Sequence, residues 1–249
     1  MITRRLFGAL AAVFAAFGAA APAHAGETRV AVAANFTAPA KEIAEAFAAA
    51  TGHKATLSFG SSGQFYTQIA HGAPYEVFLS ADAERPARAE RAGLAVPGSR
   101  FTYAVGTLVL YSRTPGLAGP DALKAGRFRK LAIADPRAAP YGEAAVETLR
   151  SLGLYDAVKP KLVTGASITQ AYQFVATGAA ELGFVALSQL VAEKGGSRWV
   201  VPETRHAPIA QQAVLLNNGR DSAAAKAFLI FLRGPEAAAI IRRYGYRPG

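Results

Sequence analysis

Four short loops of similar composition could together bind a small anion. Each loop contains small and polar residues between an apolar run, which predicts a strand, and the start of a predicted helix. The backbone N–H groups of a first helical turn lack intrahelical partners and lie at the positive end of the helix dipole, so they can donate to an anion. No loop contains Lys, Arg, Asp, Glu, His or Cys, so every donor would be neutral. The loops are Ala33-Ala34-Asn35-Phe36-Thr37, Gly60-Ser61-Ser62-Gly63, Ala139-Pro140-Tyr141-Gly142 and Ala166-Ser167-Ile168-Thr169.

The elements that must position these loops alternate between strands and helices. The predicted strands are Thr28–Ala34, Lys54–Phe59, Val77–Ser80, Phe101–Ser112, Lys130–Ala134, Lys161–Val163, Leu182–Val185, Trp199–Val201 and Ile209–Leu216. The predicted helices are Ala38–Thr51, Gly63–His71, Ala83–Ala92, Gly142–Leu152, Ile168–Thr177, Ser188–Lys194, Ser222–Leu232 and Pro235–Tyr244. Such alternation is typical of α/β layers, whose ligands bind beyond the carboxyl ends of the strands, where the four loops lie.

Two of the predicted strands are long enough to cross between two lobes. Phe101–Ser112 and Ile209–Leu216 both exceed the usual strand length of about five or six residues. The chain is long enough to bury two modest cores. We therefore expect a hinged α/β protein in which residues 26–103 and 212–249 form lobe I and residues 104–211 form lobe II.

The first 25 residues have the pattern of a cleaved signal peptide. Arg4 and Arg5 precede an apolar run from Leu6 to Ala21, and Ala23-His24-Ala25 matches a cleavage site. Because the chain has no cysteine, it can form neither a disulfide nor a lipid-attachment site. We expect export to the periplasm by the general secretory route or, given the paired arginines, by the twin-arginine route.

The net charge of +10 falls to +8 when Arg4 and Arg5 leave with the predicted leader. The remaining basic residues are scattered among acidic ones, and no recognition-helix pattern or aromatic stripe accompanies them. This distribution indicates a solvated basic surface that could attract anions, and no nucleic-acid partner is expected.

Several stretches resemble the periplasmic molybdate-binding proteins of ABC importers, across essentially the whole length after the leader. The most specific, Gly72-Ala73-Pro74-Tyr75-Glu76-Val77-Phe78-Leu79-Ser80-Ala81-Asp82, is nearly a family signature, although Glu76 stands where Asp is usual. The others are Val32–Thr37, Ser58–Gly63, Leu108–Leu110, Ala134–Pro136, Ala180–Val185 and Gly234–Ala238.

The resemblance implies a type II periplasmic-binding fold with two lobes, each a mixed and mainly parallel sheet flanked by helices. It implies a monomer that binds molybdate or tungstate by neutral hydrogen bonds, with no direct metal ligand, no cofactor and no catalytic residue. The expected partner is a membrane permease driven by an ATPase.

The family's ligand-binding positions fall on four residues of this chain. They are the Asn35 amide, the Ser62 hydroxyl, and the backbone donors of Tyr141 and Ile168. The neighbouring residues Ala34, Ser61 and Ser167 are further candidates. Many relatives add a tyrosine hydroxyl where this chain has Ala186, and Tyr141 could replace that donor with its own hydroxyl or supply only an aromatic wall.

Other interpretations of the same residues stay open. Ser62 could only cap its helix, and Tyr141 could be a packed surface aromatic. An exported hydrolase is a further alternative, although Gln64 stands where a G-x-S-x-G nucleophile turn requires glycine. Among anions, sulfate is the second candidate, because sequence does not reveal the radius of the cavity.

Overall fold

The structure, a computed structural model, describes residues 25–249. The predicted signal peptide, residues 1–25, therefore lies outside the described residues except for Ala25. Within the described part, no helix is both long and apolar enough to cross a lipid bilayer.

Ten strands form two separate five-stranded sheets. The first sheet has the order β2-β1-β3-β10-β4, and the second has the order β7-β6-β8-β5-β9. The strands are β1 Glu27–Ala33, β2 Lys54–Gly60, β3 Val77–Ser80, β4 Phe101–Gly106, β5 Leu108–Ser112, β6 Leu131–Ala134, β7 Leu162–Gly165, β8 Leu182–Ala186, β9 Ser197–Val200 and β10 Ile209–Leu215.

Both sheets are built on the same plan. The strand next to one edge, β1 or β6, pairs in parallel with both of its neighbours, and the other two pairings in each sheet are antiparallel. Because the chain leaves β1 for the neighbour on one side and returns to the neighbour on the other, and does the same from β6, each sheet has a switch point at the carboxyl end of this strand. Ligands of α/β sheets bind at such points.

Nine α-helices occur among the described residues, and they flank the two sheets. They are α1 Thr37–Thr51, α2 Ser62–Ala70, α3 Glu84–Arg91, α4 Pro120–Ala125, α5 Pro140–Ser151, α6 Tyr155–Val158, α7 Ile168–Ala176, α8 Ala223–Arg233 and α9 Pro235–Arg243. The helices that follow β1, β2, β6 and β7 start directly beyond the carboxyl ends of these strands, so their first turns share one edge of each sheet.

Apolar side chains on both faces of the sheets form the cores. In the first lobe, Val30 and Val32 of β1 pack with Phe47 of α1 and Phe228 of α8 on one face. Ala31 lies on the opposite face, in a smaller cluster. The core of the second lobe also includes Ala33, Ala34 and Ala81 from the first lobe, so apolar packing is continuous across the interface.

The chain passes between the two sheets twice. The run predicted as one strand, Phe101–Ser112, is divided at Thr107 into β4 of the first sheet and β5 of the second. The second passage is the irregular segment 201–208, since β10 lies in the first sheet along its whole length. The residue limits predicted for the two lobes, 103/104 and 211/212, stay predictions.

The largest error in the predicted elements is the helix at Ser188–Lys194. The structure has only a short 3-10 helix, Leu187–Leu190, whose Ser188 hydroxyl donates to the Asn35 carbonyl at 2.8 Å. This long-range contact binds Ser188 to the other lobe. Sequence reasoning also missed α4 and α6, which are too short to show a helical repeat.

Candidate functional site

The switch points of the two sheets face each other across a small cavity. The loops after β1 and β2 approach it from the first lobe, and those after β6 and β7 approach it from the second. Ten residues line the cavity: Ala33, Ala34, Asn35, Ser61, Ser62, Ala81, Ala139, Pro140, Tyr141 and Ile168. The structure thus brings together all four predicted binding residues and two of the three further candidates.

Ser167 is the candidate that does not line the cavity. Its hydroxyl accepts from the Gln170 backbone N–H at 3.4 Å and caps the start of α7. Ser167 therefore fixes the start of the helix that carries Ile168.

The size and composition of the cavity restrict what it can hold. Its volume is about 10 Å³, far below the roughly 300–1,000 Å³ of pockets for drug-sized ligands. None of its lining residues carries a charged side chain. The volume excludes a drug-sized ligand, and the lining excludes a site built on charged side chains.

The Ser62 hydroxyl is oriented so that it can donate into the cavity. Its oxygen accepts a hydrogen bond from the Ala81 backbone N–H at 2.9 Å, and the side chain is buried. Since a hydroxyl has one hydrogen to donate, this bond leaves the Ser62 hydrogen for a ligand. The interpretation of Ser62 as the helix cap is wrong, because Ser61 caps α2 by accepting from the Gln64 N–H at 3.4 Å.

Residues at helix starts from both lobes line the same cavity. Ser62 and Ile168 are the first residues of α2 and α7, and Tyr141 is the second residue of α5. Asn35 is the second residue of a 3-10 helix that starts directly after β1. N–H groups at these positions have no partner within their helix, so they are free to donate at the positive end of its dipole.

The Asn35 side-chain amide donates to protein groups. Its Nδ2 donates to the Gln211 Oε1 at 2.8 Å and to the Tyr246 hydroxyl at 3.0 Å. The Asn35 carbonyl accepts from the hydroxyls of Tyr246 and Ser188, at 2.7 and 2.8 Å. An amide nitrogen has two hydrogens, and both are used in this arrangement, so the Asn35 side chain has no amide hydrogen left for a ligand.

Tyr141 is wholly buried, so its interpretation as a surface aromatic is wrong. Its hydroxyl accepts from the Gln211 Nε2 at 3.5 Å. Burial, followed by the neighbouring hydroxyls of Tyr246 and Tyr103, raises the pKa of Tyr141 well above its usual range. The hydroxyl therefore stays protonated and lies among protein groups, while the ring forms part of the cavity wall.

The mouth of the cleft is closed by contacts between backbone and side chains of the two lobes. The Gly63 N–H donates to the Ala138 carbonyl at 2.8 Å, and a Cβ at Gly63 would lie 2.9 Å from the Ala138 backbone. Arg85 pairs with Asp82 of its own lobe and also donates to the Arg137 carbonyl at 3.0 Å. The structure thus has its lobes in contact around the cavity.

Three residues beside the cavity were not predicted from the sequence. Tyr103, Gln211 and Tyr246 form hydrogen bonds with Asn35, with Tyr141 or with each other. The available indication was the pair Gln211-Gln212, which interrupts the apolar run of β10. The Ala186 N–H donates to the Gln189 Oε1 at 2.9 Å, and the Gln189 Nε2 donates to the Ile168 carbonyl at 3.2 Å.

Metal ligation by side chains has no support in the described residues. No group of three or more His, Cys, Asp or Glu residues that could hold a metal ion occurs between residues 25 and 249.

Comparison with known proteins agrees with this geometry. The family described as "Bacterial extracellular solute-binding protein" matches residues 28–247. The molybdate-binding protein ModA of Rhodobacter capsulatus is 58% identical over 230 residues, which are 92% of this chain and 91% of that protein. ModA of Azotobacter vinelandii is 55% identical over 232 residues, covering 91% and 92% of the two chains.

Solved structures show the same fold. The periplasmic molybdate-binding protein of Azotobacter vinelandii aligns with a TM-score of 0.86 and 43% identity, over 89% of this chain and 99% of that one. The sulfate-binding protein SubI of Mycobacterium tuberculosis shares the fold with a TM-score of 0.75 at 16% identity, over 90% and 87% of the two chains. This chain therefore belongs to the bacterial extracellular solute-binding proteins, and within them to the family of the molybdate-binding proteins.

Proposed function

We propose that the protein captures molybdate, and also tungstate, between its two lobes and delivers it to an ABC transporter. The observation that carries this proposal is the cavity at the facing switch points, which is lined by neutral residues from both lobes and is far too small for a drug-sized ligand. The similarity to molybdate-binding proteins over nine tenths of the chain supports the choice of anion.

The anion would be held without a metal–protein bond. Its oxygens would accept from the Ser62 hydroxyl and from the backbone N–H groups of Asn35, Ser62, Tyr141 and Ile168. Each hydrogen bond to a charged oxygen contributes about 1.5–3 kcal/mol net, so several are needed to offset the dehydration of a dianion. Ala34 and Ser61 shape the wall, and Ser167 fixes the start of α7.

Binding would stabilise the closed arrangement of the lobes, because only there do donors of both lobes reach one anion. The closed protein would dock on a membrane permease whose ATPase drives import. We infer that the protein works as a monomer in the periplasm after removal of its leader, and that it catalyses no reaction. No nucleic acid takes part.

Calorimetric titration with molybdate, tungstate, sulfate and phosphate tests the proposal. The cavity offers donors and no carboxylate acceptor, so a proton on the ligand would face only donors. We expect tight binding of molybdate and tungstate, weaker binding of sulfate, and poor binding of hydrogen phosphate at neutral pH. Phosphate binding as tight as molybdate would refute the proposed recognition, and tighter binding of sulfate would reassign the ligand.

A further inference from the structure

A buried cluster of polar side chains joins the two lobes next to the cavity. We call it the hinge cluster, and it consists of Asn35, Tyr103, Tyr141, Ser188, Gln211 and Tyr246. All six residues are buried. Asn35 follows a strand of the first sheet, Tyr103 and Gln211 lie on strands of that sheet, and Tyr246 follows α9. Tyr141 and Ser188 follow strands of the second sheet. Two members, Asn35 and Tyr141, also line the cavity.

The side-chain amide of Gln211 contacts three members of this cluster, through both its oxygen and its nitrogen. Its Oε1 accepts from the Asn35 Nδ2 at 2.8 Å and from the Tyr103 hydroxyl at 3.1 Å, while its Nε2 lies 3.5 Å from the Tyr141 hydroxyl. Gln211 has no exposed surface. It lies at a register shift between Gln211 and Gln212 in the pairing of β10 with β4, and such bulges re-aim side chains.

The end of β4 leaves room for the side chains of Tyr141 and Gln211. Gly106 ends β4 directly before the passage to the second sheet. A Cβ at Gly106 would lie 2.1 Å from the Tyr141 hydroxyl and 2.8 Å from the Gln211 Nε2. The meeting of Tyr141 and Gln211 across the lobes thus depends on the missing side chain at this position.

We propose that Gln211 is a positioning residue for the oxyanion. By holding Asn35 of the first lobe and Tyr141 of the second in one neutral network, it keeps the backbone donors of both loops directed at the same ion. This inference rests on the proposed function of the cavity, and it adds a residue that does not line the cavity.

An amide is suited to this position for two reasons. It donates and accepts at once, so it satisfies both an amide and the tyrosine hydroxyls. It is also neutral, which matters because the titratable groups that face it are the hydroxyls of Tyr103, Tyr141 and Tyr246, with Asp82 acting on Tyr103. No cation among these groups would offset a negative charge at position 211 beside a bound anion.

The test is the pH dependence of molybdate affinity in Gln211→Glu, measured by calorimetry against wild type from about pH 5.5 to about pH 8.5. Burial and the bound anion raise the carboxyl pKa above its ordinary value of about 4.3, so the side chain ionises within this range. We expect a loss of affinity of a few fold at the acid end that grows to more than about thirtyfold at the alkaline end. Gln212→Glu is the matched control, because the neighbouring Gln212 contacts Arg100 and Thr102 outside the cluster.

Gln211→Met keeps the length of the side chain and removes its hydrogen bonds, so it serves if the charged variant does not fold. We expect affinity to fall roughly tenfold, since the Asn35 amide loses its partner, and Gln212→Met to bind like wild type. Wild-type affinity in both Gln211 variants would overturn the inference, as would a loss in Gln211→Glu that is equal at every pH. Failure of wild type itself to bind molybdate would instead refute the proposed function.

Discussion

Ser61 and Ser62 are adjacent, but their hydroxyls meet different backbone groups. Ser61 accepts from the Gln64 N–H and caps α2, while Ser62 accepts from the Ala81 N–H and keeps its own hydrogen for the cavity. Capping and ligand binding are therefore separable by mutation in this loop.

We predict that Ser62→Ala lowers molybdate affinity by about 1.5–3 kcal/mol, the value of one hydrogen bond to a charged group. Ser61→Ala should mainly lower the free energy of unfolding, by about 0.5–2 kcal/mol, because it removes a cap. Calorimetry and chemical denaturation of both variants provide the measurements. Unchanged affinity in a folded Ser62→Ala protein would remove this hydroxyl from the site.

Tyr141 contributes its backbone and ring to the cavity, and its hydroxyl to the hinge cluster. We therefore expect Tyr141→Phe to lower molybdate affinity by about threefold, because Gln211 loses its contact with Tyr141 but keeps the one with Asn35, and to lose about 1 kcal/mol of stability through the lost buried hydrogen bond. Tyr141→Ala should bind much more weakly, because the cavity wall opens. If Tyr141→Phe bound as weakly as Tyr141→Ala, the hydroxyl would have to donate to the anion directly.

At the scale of elements, the end of β4 decides whether the lobes can meet. Gly106 does not have a positive φ, so alanine is compatible with its backbone. Its Cβ, however, would collide with Tyr141 and Gln211 when the lobes are in contact.

We predict that Gly106→Ala folds and yet binds molybdate at least about tenfold more weakly, because the collision occurs only in the closed arrangement. Small-angle scattering should show a smaller compaction upon addition of molybdate than in wild type. Gly195→Ala is a suitable control, since a Cβ at Gly195 meets no atom within 4 Å. Normal affinity and normal compaction in Gly106→Ala would show that the hinge tolerates a side chain here.

At the scale of the whole molecule, closure couples ligand binding to stability. An anion that binds only the folded protein adds about 2.7 kcal/mol at a concentration of 100 Kd. For a chain of this size we expect a rise in Tm of roughly 5–11 °C with molybdate. Thermal unfolding with molybdate and with phosphate at equal concentration measures the difference, and an equal rise with both anions would contradict selective binding.

The buried tyrosines predict how stability depends on alkaline pH. Burial raises the pKa of Tyr246 to about 12, and it raises the pKa of Tyr103 and Tyr141 well above their usual range. A raised pKa in the folded state means that the native protein keeps protons that the unfolded chain releases above about pH 10. The resulting stabilisation is therefore complete below pH 10 and is lost as the pH rises towards 12.

Guanidinium unfolding at a series of pH values should give a tyrosine contribution that is constant from about pH 7 to 9 and falls steeply above about pH 10. Comparing wild type with Tyr103→Phe isolates this contribution, because the variant cannot ionise at that position. A difference between the two proteins that does not change above pH 10 would contradict a buried, protonated Tyr103.

Sequence alone determined the features that depend on local pattern. The alternating strands and helices and the four uncharged loops at strand ends follow from hydrophobic periodicity and helix-start signals. Four of the cavity residues, Asn35, Ser62, Tyr141 and Ile168, follow from the family resemblance, whose motifs also lie within short stretches of the chain. The precise role of each loop side chain did not follow, because adjacent residues such as Ser61 and Ser62 have the same local chemistry.

The tertiary structure decided which groups each side chain meets. The partners of the Asn35 amide, Gln211 and Tyr246, lie 176 and 211 residues away in the sequence. Only the packing of β10 and of the C-terminal segment against the first loop brings them within hydrogen-bonding distance. A buried amide satisfies its hydrogen bonds with whatever polar groups the fold places beside it, so its donors were directed to the hinge cluster by contacts that no local pattern encodes.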